Sequence, residues 1–581
     1  MACARLSLLA AVWLCGCWLG VAVPTHAAPR PEADAALVHT FTLQGVTGTQ
    51  PVDAGGGYDW DWRGPRDDPE WAWFFNRHGW FPDLMDAYQE TGDARYRDAL
   101  LGTLDDWIVK HPAPGRITFS AAWRPLEAAR RLTESWLPVA PALAGWAEFT
   151  PERSARFRAS LVDHGEHLRS HHAFGGNHLV TEMLALTRLA LQFPDLPGAA
   201  AWLDYGLDQL ARAYDEQVYP DGAHAELSTH YQRVIALNYQ QLLSSLRHYN
   251  RAELAAAWAP RVERLWLYVA AVMTPAGANP LNNDSDREDY RGLLAAHAPA
   301  LLTRPPQTVH FPHAGQTVFR GGPEAAQWAF FEAGPRGTDH DHADHLQFDL
   351  ALGADEFLVD NGRYTYAPGP WRDYFAGPTG HNVVLLDGRG ADARPPRTNA
   401  APSVERFRRV AGFELAWGDA VFSSATNARE GDWRRVVVYA AGSGWVVIDR
   451  VVTFGAGTLT TQWHWAPGVT VGLPTDEANV RAQAGASELA IAPPGGGSWQ
   501  TFRGVEPPSK VRGWHSDRFN LREPATQTDY VQTLRGPLVN VWVFRPAGAG
   551  NESGLVAELM PEGRVRIQAG AKSYVVDPEA P

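Results

Sequence analysis

Cysteine is missing from almost the whole chain: Cys3, Cys15 and Cys17 are the only three in 581 residues. Beyond residue 17 there is no thiol to form a disulfide, a redox centre or a nucleophile. Lysine is as scarce, with only Lys110, Lys510 and Lys572, so nearly every cation is an arginine. A GC-rich genome explains that bias as readily as a need for guanidinium forks that pair with carboxylate or sulfate. Positive charge is in deficit, at a formal net charge of −14. That argues against a nucleic-acid partner, which needs a broad basic surface, but not against an acidic ligand in a locally basic cleft. No apolar run after the N-terminal one approaches the about 20 residues of a membrane span, so no integral span is expected.

What is present bounds the chain further. Hydrophobic residues at 45% and aromatics at 11% exclude a disordered or collagen-like polymer, and the length implies two or more domains. Residues 1–27 read as a secretory signal: Arg5 precedes an apolar run, and small residues prepare a cleavage point after Ala27. The expected destination is periplasmic or extracellular. Leu14-Cys15-Gly16-Cys17 loosely resembles a lipoprotein processing site, and lipid anchoring at Cys17 is the alternative.

Residues 69–90, 94–110, 124–147, 152–171, 178–193, 197–217, 227–249 and 253–273 repeat apolar positions three or four apart, which predicts helices. Their spacing fits stacked hairpins closing into a toroid, with a plain bundle as the alternative. After Arg304-Pro305-Pro306 the pattern changes to alternating and β-branched runs bounded by Gly, Pro or Asp, the signature of an antiparallel sandwich or barrel. The expected architecture is an α domain over 28–305 followed by a β domain over 306–581, with a ligand cleft between them.

Three constellations carry chemistry. In Phe174-Gly175-Gly176-Asn177-His178, a loop becomes a helix. There Asn177 either binds an anion with its carboxamide or simply caps the helix, leaving His178 as a first-turn surface residue. In the segment from Tyr219 to Gln232, a Pro220-Asp221-Gly222 turn leads to Tyr231. Its phenol either exchanges a proton with substrate or packs in the core with its hydroxyl paired. The third and densest is Thr338-Asp339-His340-Asp341-His342-Ala343-Asp344-His345, expected at the lip of a strand with His340 and His342 on one side. Asp360 is expected to end the next strand and His381 to begin another. His342, Asp360 and His381 then form either a zinc site with a position left for water or a hydrogen-bonded network. No dominant pair of carboxylates of the kind a glycoside hydrolase needs is evident.

In their order and spacing these motifs resemble a heparinase II/III-type polysaccharide lyase, with residues 69–111 and 123–136 leaning towards the heparinase III-like branch. The resemblance covers most of the chain. It implies an incomplete (α/α) toroid followed by an antiparallel β-sandwich, acting by β-elimination on an anionic, uronic-acid-containing polysaccharide. It implies that Asn177, assisted by His340, neutralises the uronate carboxylate. Tyr231 would protonate the departing O4 and serve as base as well, and His178 would be the base for the epimer with C5–H on the other face. It further implies that His342, Asp360 and His381 hold a structural Zn²⁺, that Arg131 either contacts the anionic chain as a toroid-lining arginine or forms a structural salt bridge, and that Arg363, Tyr364 and Arg372 are candidates for contact with that chain.

Overall fold

The computed structural model describes residues 30–115, 120–322, 326–392, 406–473, 479–547 and 554–581. The expected signal segment, with all three cysteines, lies outside the described residues.

The first half is helical, as the periodicity predicts. Gly176–Gln192 packs on Ala199–Gln217, and Thr229–His248 on Ala252–Val272, as antiparallel hairpins. Helix starts are fixed by short polar caps: Thr150 accepts from the Arg153 amide and Ser228 from the Tyr231 amide. Two expected helices are broken. The 69–90 segment is two helices, Pro69–Phe75 and Phe81–Thr91, separated by a left-handed His78 (φ 58°). The 124–147 segment is Pro125–Arg130, a π-helical turn Arg131–Trp136, and Leu137–Leu143. A helix Pro31–Leu37 and a hairpin Thr40–Leu43/Val46–Thr49, unmarked by any periodicity, add Ala33 and Phe41 to the same core.

Arg131 is neither the toroid-lining substrate contact nor the salt bridge that the sequence left open. It is fully buried. Its Nη1 donates to the Asn76 carbonyl (2.8 Å), where the first broken helix ends, and its Nη2 to the Ala122 carbonyl (2.9 Å). Its Nε donates to His164 Nε2 (3.1 Å), and the guanidinium lies 3.9 Å from the Trp107 ring centroid. Every direction is taken by the fold, so none is left for a ligand.

This arrangement sets an acid sensitivity. Burial, then the neighbouring Arg131 cation, hold the pKa values of His78 and His164 well below the ordinary value. Both imidazoles are therefore neutral in the folded chain, whereas in the unfolded chain they protonate near about 6.5. Below that pH the unfolded state binds more protons, so stability is full above about 6.5 and lost as the pH falls towards the folded pKa values. The expected loss is about 1.4 kcal/mol per pH unit for each histidine in that window. Thermal melts at pH 7.5 and 5 measure it; equal midpoints would refute it.

The second half is antiparallel throughout its described pairings. One sheet runs in sequence order from Val309–Phe311 through Gln316–Gly321, Gln327–Glu332 and Phe348–Leu352 to Asp355–Leu358. An eight-stranded sheet is centred on Arg429–Ala440, Gly444–Thr453 and Leu538–Ala547, and a four-stranded sheet includes Val384–Leu386 and Gly457–His464. The strand Gln327–Glu332 is buried at every position because its alternate side chains serve two cores. Trp328 and Phe330 join the helical core, and Ala329 and Phe331 join the sandwich. This sheet therefore locks the two halves together along the seam where the site lies.

Arg435 connects the sandwich interior to that seam. It is fully buried and paired with Asp449 (Nε–Oδ1 2.7 Å). Its Nη1 donates to the carbonyls of Leu346 and Asn382, next to two histidine-bearing segments. Arg435→Ala leaves Asp449 charged, buried and unpaired, and is expected to cost about 3–5 kcal/mol in denaturant unfolding. A loss below about 1 kcal/mol would show the pair to be dispensable.

Candidate active site

A cleft of about 380 Å³ lies between the halves. The helical half contributes Arg77, Arg124, Asn177, His178 and Tyr231, and the β half His340, Arg363, Tyr366 and Phe519.

Asn177 does not cap its helix. Gly175 holds that position in extended backbone, and Gly176 turns the chain with φ +68°. Asn177 enters the first turn buried, and its Nδ2 donates to Glu226 Oε1 (3.1 Å). The other oxygen of Glu226 accepts from His340 Nδ1 (3.0 Å). Glu226 is 1% exposed. Burial alone would raise its pKa, but the hydrogen bond from His340 and the nearby histidine charges bring it down to about 2. Conversely, burial opposes charge on His340, and Glu226 outweighs it, raising the His340 pKa. One enclosed carboxylate thus fixes both the carboxamide and the imidazole.

His340 lies in a loop, not a strand, and its left-handed backbone (φ 56°) turns its ring away from His342. The expected same-side placement is therefore wrong: His340 faces the cleft and His342 the interior. Gly337 makes the close approach of this loop feasible, since a Cβ there would sit 2.4 Å from the Glu226 carbonyl. The His340 ring stacks on Tyr231 at 3.8 Å between centroids, with a 16° interplanar angle. Tyr231 hydroxyl meets Tyr366 hydroxyl at 3.2 Å, and Tyr366 accepts from Arg363 Nη1 at 2.7 Å. Burial, then Tyr366, raise the Tyr231 pKa, and the Arg363 charge works against them. His178 lines the same cleft, its pKa lowered by burial and then by Arg124, which favours the neutral imidazole a base requires.

The remaining arginines divide. Arg363 lines the cleft, held by a double hydrogen bond to Asp286 (2.8 and 2.6 Å). Arg372 is not among the cleft-lining residues: it is paired with Asp284, whose Oδ1 also meets His342 Nε2 at 2.8 Å. Tyr364 packs against Trp371 and Arg522 outside that lining. Sequence reasoning missed Arg77 and Arg124, both paired with buried Glu127, and Glu226, Asp284 and Tyr366. Glu226 stands inside the 219–232 motif, but only the fold buries it.

Beneath the cleft, His342, Asp360 and His381 are buried, with one potential ligand atom from each lying within 4.8 Å of the others. Asp360 follows its strand, which closes at Leu358, and His381 precedes the strand Val384–Leu386; both are loop residues. His381 Nδ1 meets Asp360 Oδ2 at 2.9 Å. His342 Nδ1 and His381 Nε2 are buried without hydrogen-bond partners. Two orphaned ring nitrogens beside a carboxylate fit a divalent metal, and Asp284 on the far nitrogen of His342 fits the carboxylate–histidine support such ligands use.

A family model for the heparinase II/III N-terminus matches residues 21–305, and one for the heparinase II/III-like C-terminal region matches residues 303–564. Among curated relatives, a heparin-sulfate lyase of Bacteroides stercoris is 26% identical over 485 residues, spanning 75% of this chain and 70% of that protein. One of Pedobacter heparinus is 24% identical over 468 residues, spanning 76% and 69%. A crystal structure of heparinase III superposes with a TM-score of 0.78 at 19% identity, covering 94% of this chain and 90% of that one, and shows the shared fold. The protein is a polysaccharide lyase. It belongs to the heparinase II/III family. Among the described residues, no helix is long and apolar enough to cross a membrane.

Proposed function

We infer that this protein is a secreted lyase that cleaves a uronic-acid-containing glycan of the heparan sulfate or heparin type by β-elimination. The observation that carries the reading is the convergence of Asn177, His178, Tyr231 and His340 on one cleft, with Tyr231 stacked on His340. The two curated relatives named as heparin-sulfate lyases support the substrate class.

In this reading the uronate carboxylate meets the Asn177 carboxamide and the cationic His340. Neutralising it lets the electron pair left by the C5 proton spread onto the carboxylate oxygens, so the proton becomes acidic enough to remove. Where C5–H faces Tyr231, its phenolate takes that proton, the phenol having first released its own proton to solvent beside the Arg363 charge; His178 takes it from the epimer presenting the opposite face. The electron pair then forms the C4–C5 double bond, the C4–O4 bond breaks, and O4 leaves with a proton delivered from Tyr231. Arg363 holds Tyr366 against the Tyr231 hydroxyl and places positive charge near it as it gives up its proton. His342, Asp360 and His381 would hold Zn²⁺, which would brace the loop carrying His340 from below.

The test is a screen of heparan sulfate, heparin, hyaluronan, chondroitin and alginate for the ultraviolet absorbance of the unsaturated uronate. Signal on heparan sulfate is the expected result. Silence on all five, from folded protein, would refute the elimination; signal on alginate alone would keep the chemistry and change the substrate.

A further inference from the structure

A second groove lies between the C-terminal end of helix Ala252–Val272, the helix Tyr290–His297 and the strand Gln316–Gly321, and shares no lining residue with the cleft. It encloses about 400 Å³, with apolar walls that include Leu267, Leu301 and Val309 and with charge from Arg291, Arg304 and Arg320.

Guanidiniums buried elsewhere have their donors taken, Arg131 by two carbonyls and His164, and others by carboxylates. Arg287 has Glu356 and Asp517, Arg363 has Asp286, and Arg435 has Asp449. Among the described residues, Arg320 and Arg291 have no carboxylate within ion-pair distance. Arg320 gives one Nη to the Met273 carbonyl, and its Nε is buried with no acceptor. Arg291 gives one Nη to the Pro275 carbonyl (2.8 Å). Burial, then repulsion from Arg291, lower the Arg320 pKa to about 10. Arg304 reaches only Glu263, at 3.6 Å and largely exposed. Among the described residues, two like charges thus lie close together with no carboxylate paired to either, and the half-buried Arg320 has an Nε with no acceptor. A buried guanidinium N–H without an acceptor is costly, and an anion entering from outside would satisfy it.

We propose that this groove is a second, non-catalytic glycan site, taking a sugar residue that carries a sulfate ester or carboxylate. The guanidiniums would bind the oxyanion and the apolar walls the ring face. The volume is in the range of small-molecule sites, whereas a free inorganic anion would fill only a fraction of it. The choice of a glycan rests on the lyase reading above; the need for an anion does not.

Calorimetric titration of the full chain in the Tyr231→Phe background, where ligand is not consumed, tests it. The probes are a size-defined sulfated uronate tetrasaccharide and, separately, sodium sulfate. Two tetrasaccharide sites per chain are expected. Adding Arg291→Gln should remove one of them or weaken it about tenfold or more, and so should Arg320→Gln. In the otherwise wild-type chain, Arg291→Gln should leave tetrasaccharide turnover within about twofold. One site in every background, or two sites indifferent to both arginines, would overturn the proposal. Sulfate bound as tightly as the tetrasaccharide would also overturn it, marking a free-anion site. Two-site binding with no turnover by the wild-type chain would sink the lyase reading and leave this site standing.

Discussion

Tyr231→Phe is expected to lower kcat on heparan sulfate by roughly 10³-fold, within the range by which positioned acids and bases accelerate proton transfer. The substitution removes one oxygen and leaves the ring, so the stack on His340 is retained. Tyr366 keeps its hydrogen bond from Arg363, and folded stability should change by no more than about 1 kcal/mol. KM should move little, because in the proposed mechanism carboxylate binding falls to Asn177 and His340. The separation of kcat from KM is the decisive readout: a group needed only as the proton moves costs rate, and a binding group costs affinity as well. Initial rates from unsaturated-uronate absorbance, with a thermal melt of the variant, measure both. Turnover within tenfold of the parent would remove Tyr231 from the proton transfer and leave His178 as the alternative base.

The second large effect concerns the cluster under the cleft. Elemental analysis of protein never exposed to chelator is expected to find about one zinc per chain. Stripping it should lower the melting midpoint by on the order of 10 °C, the shift expected when several kcal/mol of binding energy leave a domain of this size. Without the ion, two buried imidazole nitrogens have no partner, which is itself costly. Activity should fall with stability, because His342 is two residues from His340 and the loop between them spans both sites. His381→Ala should reproduce the stripped midpoint and make it insensitive to chelator. Protein that melts identically with and without chelator, and carries no metal, would reduce the cluster to a hydrogen-bonded network.

Much of this site stood in the sequence because the residues that carry it are concentrated in three short motifs. Asn177-His178, Tyr231 and the histidine run at 340–345 are separable from ordinary surface by composition alone. Their roles relative to one another were not readable, since the contacts that define them are long-range. Glu226 meets Asn177 across 49 residues and His340 across 114, and Tyr231 meets Tyr366 across 135. Backbone sign mattered as much. Alternation places His340 and His342 on one side only if the segment is extended, and a single left-handed residue sends them to different sites. Arg131 failed as a substrate contact for a related reason: helical periodicity does not reveal that broken helices leave carbonyls which a buried guanidinium can satisfy.

The sequence by itself determined the change from 3.6-residue to two-residue periodicity near residue 305, and with it an α half followed by a β half. It also determined which residue types were available for acid–base and metal chemistry. Those properties are local, set by side-chain spacing along one segment. Only the tertiary structure decided which arginines face the cleft, that one buried carboxylate orients both Asn177 and His340, and that the strand Gln327–Glu332 serves two cores at once. Each of these depends on which distant surfaces exclude water from each other, a property of packed elements that no single segment contains.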